Sequence, residues 1–250
     1  MGRSPDVDAV AEFRTLRSRV LETIADACRR SGRDPGEVSL VAVSKTVAAQ
    51  RLEAAVVAGL TLLGENRVQE AEAKAPLLPG ASWHLIGPLQ SNKTRRAVEL
   101  FDVIESVDSV DLARRLDRLA GEGGRGDGSL GAAGRLGVYL QVNVDRDESK
   151  SGFLPETLEV ELPTLADLSN LRLLGLMTIG RLVGPAEEAR PTFARLRELS
   201  ERLRGRVGGF GAGLSMGMSG DYPVAVEEGA TVVRVGRALF GVRPEGTVGR

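Results

Sequence analysis

The sequence has one cysteine, Cys28, and one histidine, His84. A single thiol excludes an intramolecular disulfide. With no Cys-x-x-Cys pair and no Cys/His cluster, the usual ligand sets for a structural metal are also missing, so no metal is expected and a reducing compartment fits best. No stretch of about 18 consecutive apolar residues is present, which removes the ordinary signature of a membrane-spanning helix. The opening Met1-Gly-Arg-Ser-Pro-Asp6 lacks the apolar core of a signal peptide. A cytoplasmic protein with no membrane partner is the expectation. A surplus of one charge is missing too: 33 Lys and Arg stand against 34 Asp and Glu, a formal net charge of -1. No global field draws the chain to nucleic acid, and none is expected as a partner.

What the sequence does contain is a repeated grammar. At 250 residues it is long enough for one barrel-sized domain or two small ones. From Asp6 to Arg30 the apolar residues Val10, Phe13, Leu16, Val20, Ile24 and Ala27 recur at steps of three and four, which predicts a long amphipathic helix ended by Ser31-Gly32. Val38 to Ser44 is then an apolar, β-branched run of the kind expected of a strand covered on both faces, with Lys45 at its carboxyl end. Strand-like runs follow at Thr61–Leu63, Trp83–Ile86, Phe101–Ile104, Leu136–Val144, Leu171–Met177, Leu214 onward and Thr231 onward, separated by helical stretches. Ser91, and Ser106 or Asp108, are the predicted caps of two of those helices. Gly121 to Gly137 is Gly-rich and reads as a mobile surface connection, because the rhythm resumes unchanged beyond it.

Eight strands alternating with helices predict a parallel sheet with helices outside. The length favours closure into a single-domain (β/α)8 TIM barrel spanning about residues 38–243, with an extra N-terminal helix at about 6–31. An open dinucleotide-binding sheet would carry Gly-x-Gly-x-x-Gly after its first strand, and no such motif follows Val38–Ser44.

In such a barrel the loops after the last two strands are the usual phosphate site. Here Leu214-Ser-Met-Gly-Met-Ser-Gly-Asp221 and Thr231-Val-Val-Arg-Val-Gly-Arg237 each end a short strand at glycine and a hydroxyl or arginine, just before a helix start. Lys45, in line with Val41 and Val43, projects into the same mouth by the period of two; alone it reads equally as a snorkelling or substrate-binding lysine. Arg234 within Val232-Val-Arg-Val235 needs acceptors, whether a ligand or a carboxylate such as Glu65. An amine, an arginine and a phosphate cup at one end are what pyridoxal 5′-phosphate requires. An arginine donating to the pyridine nitrogen leaves it unprotonated and the electron sink weak.

Val43-Ser-Lys-Thr46, Gly64-Glu-Asn66, Trp83-His-Leu-Ile-Gly87, Leu89-Gln-Ser-Asn-Lys93, Glu148-Ser-Lys-Ser-Gly152, Gly175-Leu-Met177, Leu214-Ser-Met-Gly-Met-Ser219 and Val233-Arg-Val-Gly236 occur in the same order as in the YggS/PROSC family, which the chain resembles over roughly residues 38 to 243. These are pyridoxal-phosphate-binding homeostasis proteins. The resemblance implies the barrel of the alanine racemase N-terminal domain, a Schiff base on Lys45, and a regulatory or carrier role in vitamin B6 balance. It implies further that Arg234 meets the pyridine nitrogen, that Ser219, Gly236 and Arg237 meet the phosphate, and that Asn66 and Met216 line the ring. His84 is either a cofactor contact or a satisfied core histidine. Val47 after Ser-Lys-Thr and the Gly-rich insertion depart from the family pattern.

Racemisation needs an acid/base on each face of the ring, and Lys45 serves only one. Tyr222, after the phosphate loop, is the candidate second base, or else a packing residue at a helix start; Tyr139 lies within a strand. The expected function is a non-catalytic cofactor carrier, a monomer that meets apo-enzymes only transiently. A low-activity racemase is the alternative, and a Schiff-base aldolase a third reading. Lys150 is either a second Schiff-base lysine for transfer or a solvated loop residue. The charged residues between 187 and 206 read as solvated pairs.

Overall fold

The computed structural model describes residues 6–123, 134–180 and 184–241. Its strands are β1 (Ser39–Val43), β2 (Leu62–Glu65), β3 (Ser82–Leu85), β4 (Val103–Val107), β5 (Leu136–Gln141), β6 (Leu171–Met177), β7 (Gly213–Met218) and β8 (Val232–Val235). Every neighbouring pair is parallel, and β8 returns to β1 through Val41 opposite Arg234, closing the barrel. The helices are α1 (Val7–Ser31), α2 (Ala49–Val57), α3 (Val68–Lys74), α4 (Thr94–Leu100), α5 (Val110–Glu122), α6 (Pro155–Ala166), α7 (Arg190–Arg204), α8 (Tyr222–Glu227) and α9 (Arg237–Phe240). The (β/α)8 barrel with an added N-terminal helix is therefore the observed architecture. Among the described residues no helix is long and apolar enough to cross a membrane.

Two apolar clusters divide the core. The larger fills the space between the sheet and the helices. The smaller is a floor inside the barrel, made of Val41, Tyr139, Met177 and Val232 with Leu62, Val103 and Leu174 against them. Several of these come from the first residues of their strands, so the floor closes the amino-terminal half of the interior and leaves the carboxyl-terminal half to polar side chains.

Helix α1 forms where the three-and-four spacing predicts it. Asp6 caps it, its carboxylate accepting from the amide of Asp8 at 3.0 Å, and Gly32 ends it at φ 68°, a left-handed turn in which the Arg33 amide donates to the Cys28 carbonyl at 2.9 Å. The helix braces the last βα unit: the Phe13 and Phe240 rings meet edge-on at 5.6 Å, and Arg33 donates to the carbonyls of Val226 and Ala230. This fixes α8 and α9, whose amino-terminal turns border the barrel mouth.

Some local expectations shift. The fourth strand runs Val103–Val107 and not Phe101–Ile104, because Phe101 is fully buried as the C-cap of α4 and Ser106 lies within the strand, its hydroxyl donating to the Gly87 carbonyl at 2.6 Å. Ser109, and neither Ser106 nor Asp108, caps α5 by accepting from the Leu112 amide. Ser91 opens a 3-10 turn and supplies its carbonyl, not its hydroxyl, to Thr94 and Arg115. A 3-10 turn also precedes α7, which starts at Arg190. Of the Gly-rich stretch, α5 takes the residues up to Glu122 and β5 begins at Leu136; the mobility expected there falls on residues 124–133, outside the described residues.

Candidate functional site

Arg234 extends into the upper interior from β8 and is 4% exposed. Its guanidinium donates to the Ser215 hydroxyl at 2.5 Å and to the Thr178 carbonyl at 2.7 Å, and lies 3.7 Å from a Glu105 oxygen. Ser215 in turn donates to Glu105 Oε2 at 2.6 Å, while His84 Nδ1 meets Glu105 Oε1 at 2.7 Å. Four strands thus contribute to one buried layer above the apolar floor. Burial alone would raise the Glu105 carboxyl, but the His84 bond, the charges of His84 and Arg234, and the Ser215 bond together hold it below its ordinary value. An ionised carboxylate only accepts, so Nδ1 of His84 carries the proton it donates. Burial pulls Arg234 the other way, down, opposed chiefly by Glu105.

Glu65 is accordingly not the partner of Arg234. It lies at the end of β2 on the helix side, where Oε1 accepts from Ser44 Oγ and from Lys74 Nζ, each at 2.7 Å. Its carboxyl is raised, by burial first, against the pull of Lys74. Glu70 accepts the Thr46 amide at 2.9 Å; although burial raises it, that bond and Lys74 bring its carboxyl below the usual value. Between these groups runs the turn that holds Lys45, half-buried, immediately after β1.

The turns after β7 and β8 are knitted together, since the Gly236 amide donates to Ser219 Oγ at 3.1 Å. Gly217 makes this geometry attainable. Its φ is 90°, and a Cβ there would lie 2.6 Å from that of Ala225 and 2.9 Å from Tyr222 Cα, so only glycine lets α8 sit this close to the strand. Gly236 borders β1 as well: a Cβ on it would meet that of Val43 at 3.3 Å. The Lys45 turn and the last phosphate-loop candidate are therefore neighbours. Asp221 closes the β7 turn, its carboxylate accepting from the Met218 amide at 2.6 Å, and burial raises its pKa. Arg237 is the exposed first residue of α9.

The remaining candidates are placed as follows. Asn66 follows β2 and lines an open groove of about 940 Å³ with Arg67, Glu70, Lys74, Gln90 and Lys93. Met216 is fully buried, and the alternation of β7 puts it opposite Ser215, among the residues between sheet and helices. It does not face the interior layer. Tyr222 is 7% exposed in that same outer cluster, and the Tyr139 hydroxyl, in the floor, is pushed by burial and the Glu105 charge up to about 12. Lys150 is not simply solvated: its amine donates to the Ile179 carbonyl at 3.2 Å, and Asn143 holds its loop by donating to the carbonyls of Asp147 and Lys150. Among the charges of residues 187 to 206, Arg190 bridges Glu187, Glu227 and Glu228, while Arg197 and Arg202 make exposed pairs.

Sequence reasoning passed over Glu105, Ser215 and Lys74. Glu105 had a legible signal, a lone acid inside Val103-Ile-Glu-Ser-Val107; Ser215 and Lys74 had none. Among the described residues no group of three or more acidic, histidine or cysteine side chains is arranged to hold a metal.

The profile of the alanine racemase N-terminal domain family matches residues 21–244. The pyridoxal phosphate homeostasis protein of Pseudomonas aeruginosa is 43% identical over 231 residues, covering 92% of this chain and 95% of that one. PipY of Synechococcus elongatus, solved with PLP bound, is 45% identical, with a TM-score of 0.76 over 89% of this chain and all of that one. Alanine racemase of Corynebacterium glutamicum shares the fold at 18% identity, with a TM-score of 0.69 over 98% of this chain but 64% of its own. Matched over this length and at these identities, the chain belongs to the family of pyridoxal phosphate homeostasis proteins, on the barrel of the alanine racemase N-terminal domain.

Proposed function

We propose that this protein binds pyridoxal 5′-phosphate at the carboxyl end of its barrel, attached through Lys45, and acts in the intracellular balance of that cofactor without catalysing a reaction. The observation that carries this reading is the convergence of three features far apart in sequence. The Lys45 turn, the buried Arg234, and the Ser219–Gly236 bond that joins the last two turns all lie at one end of a closed sheet. The name of the Pseudomonas relative and the bound PLP of PipY support the choice of ligand.

The residues fit the group. When bound, the cofactor supplies an aldehyde that condenses with a lysine amine to a Schiff base. The protein's part is to hold and orient it. Arg234, pinned by Ser215 and Thr178, presents a fixed donor to a ring nitrogen. Ser219, Gly236 and the backbone of Arg237 grip the phosphate. Asn66 lines the ring. His84 acts through Glu105, keeping that carboxylate ionised beside Arg234, and Met216 supports the cup from behind β7. Residues 38–243 serve as one binding barrel and the helix at 6–31 as its brace.

Two placements support a non-catalytic role. Tyr222 packs in the outer cluster as a helix-start residue, and Tyr139 keeps its proton at neutral pH in the barrel floor. Neither offers a second base over the ring. A monomeric carrier that meets cofactor-dependent apo-enzymes only in passing completes the proposal. The test is spectroscopic. Protein loaded with pyridoxal phosphate and then freed of unbound cofactor absorbs near the violet, borohydride bleaches it, and Lys45→Ala abolishes the band. A band that survives Lys45→Ala overturns the attachment. Racemisation of L- or D-alanine abolished by Tyr222→Phe overturns the non-catalytic assignment.

A further inference from the structure

Lys45 sits between two peptide groups, and α3 holds both. The Ser44 carbonyl accepts from Lys74 Nζ at 3.0 Å, and the Thr46 amide donates to Glu70 Oε2 at 2.9 Å. Those two peptide planes define the backbone dihedrals of Lys45, and through its Cβ the direction in which its side chain leaves the turn. We propose that Glu70 and Lys74 are positioning residues that aim the Lys45 amine; this rests on the reading of Lys45 as the attachment point for pyridoxal phosphate.

Backbone strain argues that the clamp does more than decorate a turn. Thr46 has φ 67°, a left-handed conformation that a β-branched residue avoids, and it is one of two such non-glycine residues among those described. Strained dihedrals persist only where the surroundings over-determine them. Here the surroundings are specific. Lys74 is 9% exposed, and its amine faces three oxygens: the Ser44 carbonyl, Glu65 Oε1 at 2.7 Å and Glu70 Oε2 at 3.5 Å. The Ser44 hydroxyl adds a fourth link by donating to Glu65 Oε1. One cation therefore ties the end of β2, the helix α3 and the Lys45 turn into a single unit, outside the barrel and behind the cofactor site.

A clamp acting through the backbone predicts a particular pattern of loss and rescue. In cofactor-free protein the Thr46 amide exchanges slowly with solvent. Glu70→Ala speeds it at least roughly tenfold, while Glu70→Gln, whose side-chain oxygen still accepts, has a smaller effect. Titration of pyridoxal phosphate, followed by violet absorption, gives an affinity roughly tenfold weaker in Glu70→Ala. Thr46→Gly added to Glu70→Ala recovers part of that loss, because glycine takes the left-handed turn without a Cβ penalty. Should Glu70→Ala fail to fold, Glu70→Leu, of similar size but with no acceptor for the Thr46 amide, carries the same comparison.

An unchanged Thr46 exchange rate, an unchanged affinity, or a loss that Thr46→Gly leaves untouched each overturns the clamp. A wild-type protein that develops the absorption while Glu70→Ala matches it in both readouts overturns the clamp alone. A wild-type protein that never develops it overturns the cofactor reading, and the purpose of the clamp with it.

Discussion

The sheet buries one carboxylate cluster on each of its faces, and the two solve the same problem differently. Inside the barrel, both oxygens of Glu105 are engaged by His84 and Ser215, and a guanidinium stands 3.7 Å away. Outside it, Glu65 has one oxygen that receives two bonds and another, Oε2, that is buried with no partner among the described residues. The inner acid is held below its ordinary pKa and the outer one above it, though each has a cation beside it. Two things differ: Glu105 has both His84 and Arg234 beside it and both oxygens bonded, while Glu65 has Lys74 alone, the Glu70 charge close by and one oxygen unbonded. The more bonds the charged form receives, the more of the cost of burial is offset and the lower the pKa.

The largest effect should come from breaking the inner cluster. Glu105→Ala takes from the buried Arg234 its main counter-charge, leaving the more weakly acting Asp221, and removes the acceptor for His84 and Ser215 together. Loss of one partner of a buried pair costs about 3–5 kcal/mol. Urea unfolding should show that drop in the extrapolated stability, with the slope unchanged. A loss near 1 kcal/mol would mean that Arg234 draws its compensation from Thr178 and water, and that the inner layer is not one unit.

How much of this was legible beforehand depends on which interaction fixed each residue. The barrel was legible because it is written in periodicity: apolar runs of strand length and a helix such as α1 with its cap and terminal glycine need only local information. Lys45 and Arg234 were legible because a charge at the end of an apolar strand stands out against its neighbours. The partner of Arg234 was not, since two strands, β2 and β4, each carry an acid and only the closed barrel shows that Glu105 faces the interior and Glu65 the helices. Met216 was placed at the ring by the family resemblance and not by the pattern of its own strand, whose alternation from the inward Ser215 puts it among the residues between sheet and helices. The misplaced caps near Ser91 and Ser106 have a similar cause, a hydroxyl within two or three residues of the true boundary being hard to separate from the real one.

A middle-sized effect separates the clusters by pH. The folded pKa of Glu105 is depressed, so the stability it supplies is present above the ordinary carboxylate value near 4.5 and is lost as pH falls through the lower folded value. Glu105→Gln removes that titration. Its deficit against wild type should therefore be largest at neutral pH and shrink steadily as the solution is acidified below about 4.5. Unfolding curves taken across the acid range check this: a deficit independent of pH would show that Glu105 titrates alike in the folded and unfolded protein, and one that grew in acid would show that it is neutral when folded.

Glu65 should do the opposite, and by less. Its folded pKa is raised above 4.5, so its contribution is fully present below that value and is lost as pH rises through the folded value. A glutamine has the shape of the protonated acid and cannot lose a proton, and its amide oxygen still accepts from Ser44 and Lys74. Glu65→Gln should thus match wild type in acid and become the more stable protein by up to about 1 kcal/mol as pH rises toward neutrality. The Lys74 charge is not stranded by the change, because Glu70, depressed and ionised, remains within 3.5 Å of it. Were Glu65→Gln instead destabilising at neutral pH, with a deficit that vanished in acid, Glu65 would be an ionised partner of Lys74. The two faces of the sheet would then bury their charge in the same way.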